Sequence, residues 1–131
     1  MFLVSCNASD NKSGLTFNDF QALVKSSAGN NAIDCGFVNI NENQLKTNTC
    51  ITASFVNKLS FYSFYQFQGN DSIGGKAIFS DKNNSLYFWD FDSDPMGQGR
   101  PDNGRITKEE CLNAAFSGSV NVPSYELFSC Q

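Results

Sequence analysis

The sequence predicts an α+β domain, with helices packed on an antiparallel sheet and two disulfides holding the layers. Three observations carry that prediction. Phe17, Phe20, Leu23 and Val24 recur at helical spacing near the start of the chain. From Phe61 onward the period changes to that of strands, in segments dense with aromatic residues. Four cysteines, Cys35, Cys50, Cys111 and Cys130, fall into two local pairs. The 131 residues correspond to one domain, and a composition 40% hydrophobic and 14% aromatic is enough to build a core and argues against intrinsic disorder.

Thr16-Phe-Asn-Asp19 places a hydroxyl at an N-cap with an acid three residues on, so a helix opens there and stops near Ser26 to Ala28, before Gly29-Asn30-Asn31. Gly36 to Ile40 reads as a short strand. A second helix is expected from about Asn48 or Thr49, with Ile51, Phe55 and Leu59 at i, i+4 and i+8 and Cys50 in its first turn. Phe61 to Phe67, Ile73 to Phe79 and Leu86 to Phe91 read as an antiparallel meander, with turns at Gly69-Asn70-Asp71 and Asp81 to Ser85. Residues 92 to 104, rich in Gly and Pro, form an irregular loop. Thr107-Lys-Glu-Glu110 has the form of a capping box and predicts a helix to about Phe116 that holds Cys111. Tyr125 to Ser129 closes the domain as a C-terminal strand before Cys130, giving a three-strand meander plus one.

The chain reads as residues 1–14, which end in the polar run Asn7 to Gly14, followed by a single domain at 15–131. Five cysteines leave one over in an exported protein. Pairing Cys35 with Cys50 and Cys111 with Cys130 closes two short loops and leaves Cys6. Met1-Phe-Leu-Val-Ser-Cys6 ends in Leu3-Val4-Ser5-Cys6, which resembles the lipobox of bacterial lipoproteins. The resemblance covers four residues and implies that Cys6 is lipidated after cleavage of a signal peptide, of which residues 1–5 would be a truncated end. The polar run Asn7 to Gly14 would then be a flexible tether, in the periplasm or at the outer membrane. No stretch of 18 apolar residues occurs, so membrane contact is expected only through that lipid.

Nine Lys plus Arg against thirteen Asp plus Glu, without a basic cluster, argue against nucleic acid as a partner. The chain has no histidine, which removes His-based triads, His-containing zinc sites and imidazole proton shuttles. Asp90, Asp92 and Asp94 alternate along a strand end, as carboxylates do where they gather calcium. Read as an EF-hand loop from Asp90, the sixth position is Pro95 and the twelfth Pro101, so the loop pattern fails and no cofactor is expected. No phosphate-cradling glycine motif and no Ser-Lys signature is present, and an enzyme is not expected; a hydrolase using paired Asp ranks third.

The remaining signal is aromatic. Nine of the eighteen aromatic residues lie in Phe61 to Phe67 and Tyr87 to Phe91. The aromatics fit a sheet covered on both faces; in the alternative, helix faces led by Phe17, Phe20, Val24, Ile51 and Phe55 cover one side only. The side bearing Tyr62 and Phe64 is expected to stay partly open to another envelope or secreted protein. In architecture this resembles envelope inhibitors, immunity proteins and assembly accessories, which act by binding. The alternative is a periplasmic domain that binds calcium or a small ligand at Asp90 to Asp94.

Overall fold

A computed structural model of the chain describes residues 15–68, 73–93 and 104–131. Helix α1 spans Phe17–Ala28, and its capping box is complete: Thr16 Oγ1 accepts the Asp19 N–H at 3.1 Å and Asp19 Oδ2 accepts the Thr16 N–H at 2.9 Å. It ends where Gly29 takes φ +105°, a conformation that costs glycine little. Phe20, Val24 and Ala28 form its buried stripe, while Leu23 falls outside it and is exposed.

Strand β1 (Ile33–Val38) leads into helix α2 (Leu45–Val56). The helix starts before Asn48, because Asn43 Oδ1 takes the orphan N–H of Leu45 at 2.8 Å. It also stops before Leu59. Lys58 turns to φ +59°, the Leu59 N–H reaches the Ser54 carbonyl at 2.9 Å and the Lys58 N–H reaches that of Phe55 at 3.1 Å. These are the two bonds of a Schellman ending, with lysine where glycine is usual.

Strands β2 (Phe61–Gln68), β3 (Ile73–Ser80) and β4 (Leu86–Asp92) form the predicted meander. The sheet has five strands in the order β1-β2-β3-β4-β5 and is mixed, since β1 runs parallel to β2. A parallel neighbour needs a crossover, and α2 is that crossover. β5 (Arg105–Cys111) corrects the expectation of a third helix: Thr107 to Glu110 pair with β4 from end to end. Cys111, Leu112, Ala115 and Phe116 recur at helical spacing behind the capping-box pattern, but the ladder offered by the β4 edge prevails over that local preference. As a strand, the same segment directs Ile106 into one core and Cys111 into the other. The C-terminal strand is also corrected: Tyr125 sits in a 3-10 turn (Ser124–Glu126), and only Phe128–Ser129 (β7) is extended. β7 pairs with β6 (Ala115–Phe116) in a separate ribbon, not with the main sheet.

The two helices lie on opposite faces, so the sheet is covered on both, as the first of the two sequence readings has it, and the expectation of helices sharing one face is corrected. Phe20, Val24 and Ala28 of α1 pack with Phe64, Ala77, Phe79, Trp89 and Phe91. Ile51 of α2 packs on the reverse face with Phe61, Tyr65, Ile78, Leu86 and the ribbon residues Leu127 and Phe128. Both faces of β2 are thereby used, which is why its aromatics alternate without a polar partner set.

Both disulfides have the predicted pairing. Cys35–Cys50 ties β1 to α2 with Cα atoms 5.4 Å apart, and Cys111–Cys130 ties the end of β5 to the residue after β7 at 4.9 Å. A shift in register between Asp34 and Phe37 leaves Cys35 and Gly36 as a bulge in β1. Gly36, at φ +113°, lets the bulge form, so that Cys35 points inward to Cys50 while Phe37 turns to the α1 side beside Phe64. By the chain-entropy account each bridge contributes about 3 kcal/mol.

Candidate binding surface

The strand registers line up side chains in rows across the sheet, because directly paired residues share a face. On the α1 side one row reads Asp34, Tyr62, Phe79, Tyr87 and Glu110, one residue from each of the five strands. The neighbouring row reads Phe37, Phe64, Ala77, Trp89 and Lys108. α1 covers the middle of the second row, where Phe20 meets Phe64 edge-on at 6.2 Å. The first row remains partly open: Tyr62 and Tyr87 are half-buried, and the acids at its two ends are exposed.

The rings of this surface hold one another rigidly. Phe79 is fully buried, stacked on Tyr87 at 5.1 Å and edge-on to Trp89 at 4.8 Å. Tyr87 donates its hydroxyl to Asp81 Oδ2 at 3.2 Å. The other oxygen of Asp81 accepts the N–H groups of Asn83 and Ser85, at 2.9 and 3.1 Å, so the β3–β4 turn itself positions the tyrosine. Burial, and then the charge of Asp34, raises the Tyr62 phenol above its ordinary range. Burial does the same for Tyr87, with Asp81 and Glu110 adding to it against a hydrogen bond from Ser85. Both phenols are therefore neutral hydroxyls at any physiological pH.

Two cations sit against these rings. Lys25 of α1 places Nζ 5.7 Å from the centre of Tyr62, and Lys108 of β5 places Nζ 4.5 Å from the centre of Trp89.

Of the two residues expected to bind a partner, Tyr62 lies on this surface and Phe64 does not. Phe64 is 2% exposed, sealed by Phe20, Phe37 and Tyr62. Its assignment to an open face is corrected: α1 crosses there, and the open strip runs one row away. Tyr87, Asp34, Glu110 and the two lysines were not singled out as partners from sequence, since their alignment exists only in the register.

Of the aspartates expected as calcium ligands, Asp90 and Asp92 lie on the reverse face. Asp90 pairs with Lys76 at 3.3 Å, Asp92 stands opposite Arg105 in the register, and Asp94 lies outside the described residues, as does Cys6. Among the described residues no group of three or more His, Cys, Asp or Glu gathers as a metal site, and no helix is long and apolar enough to cross a membrane.

From sequence Asn48 stands only at an expected helix start. It is instead 1% exposed, and its amide joins α2, β2 and the C-terminal segment. Nδ2 donates to the carbonyls of Val120 at 3.1 Å and Val122 at 2.8 Å, and Oδ1 accepts the Tyr65 hydroxyl at 3.1 Å.

The chain matches no known family model, and no curated protein or solved structure is significantly similar to it.

Proposed function

We propose that this chain is a bacterial envelope lipoprotein whose domain works by binding another envelope or secreted protein. The observation that supports it best is the row Tyr62–Phe79–Tyr87. Its central ring, Phe79, is buried and holds the two outer rings, Tyr62 and Tyr87, which are half-exposed, framed by charge, and gain by being covered. Two disulfides fit an oxidising compartment outside the cytoplasm. The lipobox-like Leu3-Val4-Ser5-Cys6 supplies the anchor in this reading, with the lipid on Cys6 holding the domain at the periplasmic or outer-membrane surface.

Partner capture from the native envelope tests the surface. Tyr62→Ala should lose the partner while the melting temperature stays within a few degrees of wild type, because the ring is half-exposed. Phe64→Ala should do the reverse in kind, costing about 3–5 kcal/mol of stability as a buried phenylalanine deletion does. Retention of the partner by Tyr62→Ala and by Tyr87→Ala would remove the strip from consideration.

The anchor has its own test. With the gene expressed from its native upstream region, wild type should partition with membranes and Cys6→Ala with the soluble fraction. Equal partitioning of the two would refute lipidation while leaving the binding surface untouched.

A further inference from the structure

We infer that the aromatic strip takes a cationic segment of its partner, seating arginine or lysine side chains on Tyr62 and Tyr87 between the carboxylates of Asp34 and Glu110. This rests on the reading of the strip as a docking surface and specifies the chemistry of what docks. The row is symmetric in kind, running acid, tyrosine, phenylalanine, tyrosine, acid across the five strands. Asp81 adds a third carboxylate, hydrogen-bonded to the Tyr87 hydroxyl.

Ring faces carry negative quadrupole potential, and exposed carboxylates beside them deepen it, so the strip attracts positive charge twice over. The domain already uses its rings this way. Lys25 lies over Tyr62 and Lys108 over Trp89, one from each flank. Both lysines are exposed and long, so a partner's guanidinium can displace Lys25 from Tyr62, or stack on Tyr87, without moving the backbone. Arginine suits the strip better than lysine, because its flat guanidinium stacks on a ring while its edge reaches a carboxylate. A net charge of −4 steers such a partner toward the domain from a distance.

The probe is an acetylated, amidated hexa-arginine peptide, with hexa-lysine and hexa-glutamate for comparison. Binding is followed by the fluorescence of Trp89, the only tryptophan of the chain, and by titration calorimetry. Hexa-arginine should bind, hexa-lysine more loosely, and hexa-glutamate not at all. Tyr62→Leu combined with Tyr87→Leu should weaken hexa-arginine about tenfold. Tyr62→Phe combined with Tyr87→Phe keeps the rings and should stay within about twofold of wild type, on the footing that the ring face supplies the contact. Asp34→Asn with Glu110→Gln should weaken binding and flatten its salt dependence. Glu109→Gln with Glu126→Gln removes the same charge away from the strip and should change little.

Absence of hexa-arginine binding to wild type overturns the inference, as does equal weakening by the two pairs of acid substitutions, which would mark diffuse charge attraction. If the native partner is lost on Tyr62→Ala although hexa-arginine does not bind, the docking surface stands and its cationic occupant falls. If hexa-arginine binds at the rings while the native partner is retained by the tyrosine variants, the strip binds cations and the partner docks elsewhere.

Discussion

Gly104→Val should destabilise the domain by about 3 kcal/mol, at the upper end of the cost of forcing a side chain into filled space. A Cβ at Gly104 would collide with the carbonyl oxygen of Leu15 and come within 2.6 Å of the Phe91 ring. Neither neighbour can swing aside cheaply. The oxygen belongs to the backbone that bridges Leu15 to Gly104, just ahead of the α1 cap, and Phe91 is buried against Phe17 and Phe20. In a domain of this size the loss should appear as a fall of roughly 10 °C in melting temperature. Phe91→Leu in the same background should recover part of the cost by vacating the ring's space, and the double-mutant cycle measures that coupling. Gly75→Val is the milder comparison: what it meets is the Phe17 ring, which lies at the margin of the core and is able to rotate away. A Gly104→Val protein within about 0.5 kcal/mol of wild type would refute this packing, since that is the range of substitutions that touch nothing.

The sequence was legible wherever a signal was local. Thr16 and Asp19 announce α1 because a capping box is complete within four residues. The meander shows in its alternation and turn residues, and the disulfide partners follow from short loops once Cys6 is set aside. Three things were not local. Lys58 in a left-handed conformation ends α2 with no glycine to mark it, so the apolar spacing of Ile51 and Phe55 extended falsely to Leu59. Thr107 to Glu110 carry a helix-start pattern, yet an unpaired β4 edge beside them offers a seven-residue ladder, and the tertiary pairing prevails over the local preference. The tyrosine row is the third. Each of its residues comes from a different strand, so it exists only once register is set, and register is decided by the alternation of whole strands between two cores. That also explains why Tyr62 is half-exposed while Phe64 is buried: the sequence cannot show that α1 crosses one row and spares the next.

Asn48→Leu should cost about 3 kcal/mol, more than its single position suggests, because three elements converge on one amide. The side chain branches as leucine does, so no cavity opens, but a methyl cannot approach as closely as a hydrogen-bonded amide atom, and the cost combines lost hydrogen bonds with crowding. Without the amide, the Tyr65 hydroxyl loses the Asn48 acceptor in the core and the carbonyls of Val120 and Val122 lose their donor. Leaving a buried polar group unpaired costs about 1–3 kcal/mol. Burial already pushes the Tyr65 phenol well above the ordinary tyrosine range, so it cannot ionise to find another stabilisation. Tyr65→Phe in the Asn48→Leu background should therefore cost less than Tyr65→Phe alone, because the Asn48 bond is already gone and only the contacts of the hydroxyl with Ser63 and Ser124 remain to be lost, a coupling that independent sites would not show. Asn48→Asp separates charge from shape. A buried carboxylate facing two carbonyls has its pKa raised above the unfolded value near 4, so the variant's deficit relative to wild type should be smallest below about pH 4 and grow as pH rises. The segment that detaches first should be the one Asn48 pins. Hydrogen exchange at Ser117, whose N–H is bound to Leu127 at 2.8 Å, and at Ser124, bound to Gln44 Oε1 at 2.9 Å, should accelerate well before exchange in β2 to β4. Uniform acceleration across the sheet would show instead that Asn48 supports the whole core and that the C-terminal segment is held by the Cys111–Cys130 bridge alone.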